Sequence, residues 1–520
     1  MNGAQAVVRT LVDCGVTTCF ANPGTSEMHF VAALDAVPQM RPVLCLFEGT
    51  ATGAADGYGR MTGRPAAVLL HLGPGLGNGL ANLHNARRAA TPVLAVVGDH
   101  ATYHKRFDAP LESDIDALAG SVSGWVRRST RSADAPGDAA ESVAAAMAPP
   151  GQVATLILPA DVTWTGGAEL ASPVRARQPA PVSAEEIGRV AAVLRGTEPC
   201  MIMLGGTGLH RAGLAAASRI SSATGAGLVG ETFAARHERG AGIPRVDRLA
   251  YLVEVAAGQL AGTRHLILAG ASSPVSFFAY PGKPSTPLPG GCQVHVLARK
   301  SDDIPGALES LAEIVAPDTK PSRQQPERPG LADLPDGDLS AQSAATVIGV
   351  LLPDAAIVCD EANTSGIWLP AATAGAPPHD WLNLTGGAIG QGLPLATGTA
   401  IACPDRPVLA LEADGSAMYT ISALWTHARE QLDITTVIFS NRSYAILNLE
   451  LQRTGAQTAG KAAQDLLTLS RPDIDFTALA SGMGVPASRA ATVAEFAACL
   501  RNALAEPGPH LIEADIVPRG

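Results

Sequence analysis

The chain has 520 residues and a formal net charge of −11, from 37 Lys+Arg against 48 Asp+Glu; at roughly 150 residues per domain, that length predicts about three domains. A hydrophobic fraction of 47% with only 16% charged residues excludes a disordered chain. The acidic balance, the lack of basic clusters and the 4% aromatic content exclude nucleic-acid and anionic-membrane partners.

Met1–Val12 lacks the charged and apolar regions of a secretory leader, and no stretch of about 18 apolar residues runs free of Gly, Pro and charge. Eight dispersed cysteines without a CxxC pair read as reduced, buried thiols. These features predict a cytoplasmic location. Adjacent basics such as Arg127–Arg128 read as solvated positions.

In chain order, short apolar runs alternate with Ala-rich stretches, the pattern of parallel sheets with crossover helices. The first block, to about residue 168, offers strands at Thr17–Ala21, Val43–Phe47, Ala66–His71, Val93–Val97 and Ala154–Leu158. Asp161–Leu170 and the Pro/Arg-rich Ser172–Val182 read as a linker. A second block opens at Ser183-Ala-Glu-Glu186, with the spacing of a capping box. Its strands are Cys200–Leu204, Gly227–Gly230, His265–Ala269 and Gln293–Leu297. The next linker, Ala316–Leu339, holds five prolines and no apolar periodicity. The third block offers Ala356–Cys359, Val408–Leu411, Thr435–Phe439 and His510–Asp515. The expected architecture is α/β, with three doubly wound parallel-sheet domains over residues 1–168, 183–318 and 340–520. The first and third are alike in size and rhythm.

Chemistry concentrates at predicted strand ends. Asp414-Gly415-Ser416 follows one apolar run and Asn441-Arg442-Ser443 follows the next, both where ligand crevices form in parallel sheets. A carboxylate and an amide oxygen there suit a hard cation such as Mg²⁺, and Gly415 lets the backbone approach a diphosphate. Two ordinary Asp-Gly and Asn turns are the plainer reading. Glu48 ends Pro42–Phe47 and opens a helix of small residues through Tyr58; burial there would raise its pKa. A carboxylate that merely complements the helix dipole is the alternative. Ala21-Asn-Pro-Gly-Thr25 is a tight turn after a strand. His71 opens His-Leu-Gly-Pro-Gly-Leu-Gly-Asn78, too glycine-rich for a regular helix start, so its amides are expected near a ligand. His71 alone reads equally as a structural hydrogen-bonder or a proton shuttle.

Together these residues resemble the thiamine-diphosphate-dependent superfamily of acetolactate synthase, pyruvate oxidase and benzoylformate decarboxylase. The resemblance spans nearly the whole chain: a pyrimidine-binding domain, a Rossmann-like central domain and a diphosphate-binding domain. The family's GDG with a paired Asn about 27 residues later reads here as Ala413-Asp414-Gly415 and Ser440-Asn441, with the first Gly and first Asn replaced. The resemblance implies Asp414, Asn441 and the Ser443 carbonyl as Mg²⁺ ligands. It implies Asn363, Thr364, Gly387, Asp414, Gly415, Ser416, Asn441, Tyr444, Ala445 and Ile446 around thiamine diphosphate, with Ile389 as the apolar prop that bends it. Glu48 would then contact the aminopyrimidine nitrogen and promote the tautomer that activates the thiazolium carbon toward a 2-oxo acid. The active site would lie between two chains, making a homodimer at minimum and a dimer of dimers by family habit.

Two branches compete within the enzyme class. His71 and Thr25 match active-site His and Ser positions of benzoylformate decarboxylase, but Pro274-Val-Ser-Phe-Phe-Ala-Tyr280 lacks that enzyme's second His. Gly73-Pro74-Gly75 looks like acetolactate synthase, with Leu111 and Glu450 where that family places a pocket Gln and Trp. The leading expectation is acetolactate-synthase-like decarboxylation with carboligation; simple decarboxylation to an aldehyde is the alternative. Leu111, Phe278 and Glu450 are candidate substrate-pocket residues, Glu450 favouring a polar or cationic group. The central Leu204-Gly-Gly-Thr-Gly208 is a weak nucleotide signal, and the reading favours no bound FAD or ADP. A non-catalytic cofactor-binding paralogue is the different-class rival, disfavoured by Glu48.

Overall fold

Val93–Asp99 and Val153–Pro159 are buried at every position, as strands covered on both faces of a parallel sheet must be. The computed structural model describes residues 1–322, 326–456 and 460–516. It is an α/β protein with three sheets. The first runs in the order Arg41–Leu44, Thr18–Asn22, Ala67–Leu70, Val93–Asp99, Val153–Pro159, Trp125–Arg128, all parallel. The second runs Gln293–Ala298, His265–Ala269, Cys200–Leu204, Gly227–Gly230, again parallel.

The third sheet repeats the first. Its order is His379–Asn383, Ile357–Glu361, Val408–Ala413, Ile434–Ser440, His510–Asp515, Ala487–Ala490. Numbered within each sheet by chain position, both run 2-1-3-4-6-5. The third adds one edge strand, His237–Arg239, which comes from the middle stretch and pairs antiparallel with His379–Asn383.

One apolar core joins the facing sides of the first and third sheets, including Phe20, Val68, Val97, Ile357, Val408 and Ala410. Helices Glu48–Thr62 and Gly392–Ala402 cross inside it at backbone contact. A Cβ at Gly57 would overlap the Leu395 carbonyl and one at Gly398 the Ala54 carbonyl, so only glycine permits this approach.

The structure departs from the sequence reading in several places. Trp125–Arg128, His237–Arg239, His379–Asn383 and Ala487–Ala490 are strands that the apolar-run criterion passes over; most are short, polar or at sheet edges. Arg127 and Arg128 are ion-paired rather than free in solvent: Arg127 with Asp138 and Glu141, Arg128 with Asp99 and Asp116. The glycine run after His71 is helical, Leu72–Ala89, entered through a left-handed Leu72. Gly73 and Gly79 serve close packing: a Cβ at Gly73 would overlap the Ser113 hydroxyl and one at Gly79 would lie 2.7 Å from the Thr52 methyl. Asp161 lies in a short helix, Ala160–Trp164, rather than in a linker. Within the later linker, residues 323–325 fall outside the described residues.

All eight cysteines are free, three of them (Cys19, Cys45, Cys359) buried with thiol pKa values pushed up to about 12 by burial. Among the described residues no helix is long and apolar enough to cross a membrane.

Candidate active site

Three adjacent loops at the carboxyl ends of first-sheet strands bring Glu27, Glu48 and His71 together. Strand Thr18–Asn22 runs into a turn and a short 3-10 helix, Thr25–Glu27. The buried Glu27 carboxylate accepts from the Gly24 amide at 2.7 Å and the Ser26 hydroxyl at 2.7 Å, and lies 2.8 Å from His71 Nδ1. The packing leaves no room for alternatives: a Cβ on Gly24 would overlap the His71 ring, and one on Gly98 the Glu27 carboxylate. With Nδ1 held by Glu27, His71 Nε2 has no protein partner among the described residues.

Glu48 is the first residue of its helix, but it is half-buried, not buried as the sequence reading expects. Its Oε2 accepts from Asn78 Nδ2 at 3.0 Å, and a Cβ on Gly75 would lie 3.3 Å from Oε1. Thr25 does not join this group: it is exposed, and Glu27 and Ser26 reach His71 instead. Sequence reasoning passes over both; Glu27 stands three positions beyond Pro23-Gly24, and nothing in that spacing ties it to His71.

In the third sheet, Asp414 caps Val408–Ala413. Its carboxylate accepts from the Gly415 amide at 2.8 Å and the Arg442 amide at 2.6 Å, while burial raises its pKa. Asn441 Oδ1 accepts from the Ser443 amide at 2.9 Å, folding the loop into an Asx turn. Tyr444 lies flat against Gly415, where any Cβ would strike its ring. Asn363 Nδ2 donates to Ser416 Oγ at 2.9 Å, bringing two loops together. Thr364 is the next residue of the 3-10 helix Asn363–Trp368, and Ala445 and Ile446 open helix Ala445–Arg453. Gly387 and Ile389 lie in the segment between Thr385 and Gln391, Gly387 at φ +76°.

Backbone strain marks both groups. Leu72, Asn363 and Arg442 hold φ values of 49°, 50° and 57°, conformations that cost non-glycine residues about 1–3 kcal/mol and persist where the surroundings demand them. Each adjoins or is a candidate residue. No hydrogen bond or ion pair among the described residues joins Glu48 or His71 to Asp414, Asn441 or Ser443.

Two sequence-family models match the chain: the N-terminal TPP-binding domain of thiamine pyrophosphate enzymes over residues 1–119, and the C-terminal TPP-binding domain over 363–514. A Mycobacterium tuberculosis protein, provisionally named an acetolactate synthase large subunit, is 63% identical across 100% of this chain and 99% of its own. The chain belongs to the thiamine-diphosphate-dependent enzyme family. Benzoylformate decarboxylase of Pseudomonas aeruginosa is 29% identical over 96% of both chains. Among solved structures, a thiamine diphosphate-dependent 4-hydroxybenzoylformate decarboxylase of Rhodococcus jostii superposes with a TM-score of 0.86 at 24% identity, each chain covered at 100%.

Within this family frame, the remaining pocket candidates fall in two places. Leu111 lies on a loop whose Ser113 abuts Gly73, beside the His71 helix. Phe278 stacks edge-on against Phe277 at 4.8 Å, and a Cβ on Gly387 would lie 2.7 Å from the Phe277 ring tip. Glu450 is not left free for a cationic ligand. Tyr251 donates to its Oε1 at 3.5 Å and Arg453 Nε lies 3.5 Å away, Arg453 in turn pairing with Glu254 at 3.0 Å. The Pro274–Tyr280 loop contributes aromatics and no histidine.

Proposed function

We propose that this chain is a thiamine-diphosphate- and Mg²⁺-dependent enzyme that decarboxylates a 2-oxo acid and joins the remaining fragment to an acceptor carbonyl, in the manner of acetolactate synthases. The observation that carries the reading is the division of labour between two sheets of one order: carboxylates and an imidazole after the first-sheet strands, hard oxygen donors and glycine amides after the third. Gly73-Pro74-Gly75 and the full-length likeness to the M. tuberculosis relative support the ligating branch.

The donor set of Asp414, Asn441 Oδ1 and the Ser443 carbonyl suits a small hard cation that keeps water and phosphate oxygens for its other positions. Gly415, closed over by Tyr444, and the Asn363–Ser416 pair support a diphosphate close to the backbone. When bound, thiamine diphosphate supplies an electron sink for loss of CO₂ from the 2-oxo acid. Glu48 uses Oε2 to hold Asn78, which leaves Oε1 to exchange a proton with the cofactor's ring nitrogen. His71 turns Nε2 to the substrate carboxylate while Glu27 fixes its tautomer. Thr25 has no such anchor and is assigned only a rim position.

Exposed apolar groups beside the candidate residues support completion of the site by a second copy of the chain. Helix Ala445–Arg453 buries no residue, and Leu447, Ile367, Trp368 and Tyr419, all beside candidate cofactor residues, stand exposed. At the central glycine loop the Gly206 amide donates to Glu231 Oε1 at 3.2 Å, which puts a carboxylate at an amide that a phosphate would use. This supports the reading without FAD or ADP.

Simple decarboxylation to an aldehyde remains the second reading, favoured by the Phe277–Phe278 wall beside Gly387, which suits a bulky apolar side chain. Product analysis separates the two. With pyruvate and larger 2-oxo acids, acetolactate- or acetoin-type products are expected; free aldehyde alone would overturn the ligating branch.

A further inference from the structure

The segment Thr385–Gln391 contains Ile389 and Gly387, yet most of what holds it comes from the N-terminal part of the chain. Arg60, its side chain 1% exposed, donates to Thr385 Oγ1 at 2.9 Å and to the Asn383 carbonyl at 2.7 Å. Thr385 Oγ1 itself donates to the Asn85 carbonyl at 2.8 Å. His84 Nε2 lies 3.2 Å from the Gly386 carbonyl. Asn85 brackets Ala388, donating to its carbonyl at 2.8 Å and accepting from its amide at 3.3 Å. Asn82 donates to the Gly390 carbonyl at 3.1 Å, and Gln391 Nε2 donates to Asp56 Oδ2 at 2.6 Å. Asp56 and Arg60 complete the set as a fully buried bidentate pair, at 2.9 and 2.7 Å.

Polar groups from helices Glu48–Thr62 and Leu72–Ala89 therefore fasten Thr385, Gly386, Ala388, Gly390 and Gln391. The two members they leave unfastened, Gly387 and Ile389, are those expected to face the cofactor. So regular a pattern returns little stability for its burial, because each polar group loses solvent and yields only a small net gain. It does define the backbone of seven residues to within hydrogen-bond tolerance, which is what a preorganised support needs.

We infer that Arg60, Asp56, Asn82 and Asn85, through their bonds to Thr385, Ala388, Gly390 and Gln391, are positioning residues that set the height of Ile389 beneath the cofactor. The inference rests on the assignment of Ile389 as the cofactor prop. None of the four touches the reacting atoms.

The test uses the full-length enzyme loaded with thiamine diphosphate and Mg²⁺, with isosteric changes at Thr385 so that the buried Asp56–Arg60 pair stays intact. Thr385→Val is expected to lower kcat about 10-fold with little change in KM for the 2-oxo acid. It is also expected to diminish the near-ultraviolet circular dichroism band of bound cofactor, while calorimetric titration still shows binding. Thr385→Ser, which keeps the hydroxyl, is expected to restore both. Because Thr385 acts through Ile389, the double variant Thr385→Val/Ile389→Ala should lose no more than Ile389→Ala alone. Multiplying losses, or failure of Thr385→Ser to rescue, would overturn the positioning role. If Ile389→Ala itself kept full kcat and an unchanged dichroism band, the cofactor assignment beneath the inference would fall instead.

Discussion

In the first sheet the loops after three neighbouring strands carry Glu27, Glu48 and His71, all able to hold or pass a proton. The equivalent loops of the third sheet carry Asn363, the Gly386–Gly390 segment and Asp414, a set of amides, glycines and one carboxylate tied down by backbone donors. Strand order is the same and the loops leave from the same ends. Topology therefore decides where a site can form, and the loop residues decide its chemistry. The difference also shows in burial. Among the described residues the third sheet and its helices bury His237, His379 and His427, whereas the first sheet buries no histidine.

The most severe break in this division is Asp414→Ala. It should reduce turnover by about 10³-fold or more and abolish the rise in melting temperature that thiamine diphosphate with Mg²⁺ gives the parent, a rise equivalent to about 2.7 kcal/mol at 100 Kd. A rise that persisted would move the ion away from the third sheet. Glu48→Gln should cost about 10²–10⁴-fold in kcat yet keep that melting rise, since it touches only the proton side. Loss of both together would erase the distinction between the sheets.

Gly24→Ala drives a Cβ into the His71 ring, so kcat/KM should fall about 10–100-fold beside a stability loss of about 1–3 kcal/mol; unchanged kinetics would free His71 from the mechanism. Acid should probe the third sheet more gently. Burial lowers the pKa of His379 and of His427 to about 4, against 6.5 when exposed. Below about pH 6.5 the unfolded chain takes up protons that the folded chain refuses, so stability declines as pH falls toward 4, by up to about 3 kcal/mol per histidine. In the same sheet burial pushes Glu361 up to about 7 and Glu412 well above the usual carboxylate range, which acts in the opposite sense. The histidine contribution is therefore read from His427→Gln, which should flatten the stability loss between about pH 6.5 and 4 relative to the parent. The smallest effect is expected of Glu450→Gln, whose carboxylate is engaged by Tyr251 and Arg453. A substrate-preference profile that did not change would remove Glu450 from the pocket.

Much of this plan is legible without coordinates, because buried parallel strands write themselves as unbroken apolar runs such as Val408–Leu411 and the chemistry sits just past them. The strand-end positions of the candidates Asp414, Asn441, Glu48 and His71 are read that way. Glu27 escapes because its role depends on a His 44 residues distant, and spacing along the chain is silent about such pairs. The glycine run after His71 misleads for a related reason: Gly73 and Gly79 are demanded by neighbours packed against the helix, not by its own backbone. Strands such as His379–Asn383 are missed because ion pairs and ring contacts, among them Arg236 with Asp380 and Arg239 over Trp381, replace the aliphatic pattern.

The antiparallel strand His237–Arg239 has a consequence for anyone who would take this chain apart. It lies before the proline-rich connection yet finishes a sheet whose other strands all follow it. A fragment starting at residue 340 would leave the outer backbone of His379–Asn383 bare and ready to recruit a stranger. The middle stretch is thus an unsuitable place for graft or exchange, however separable it looks on paper. Among the described residues the first and second sheets each draw every strand from their own stretch of chain, and the third takes one from another.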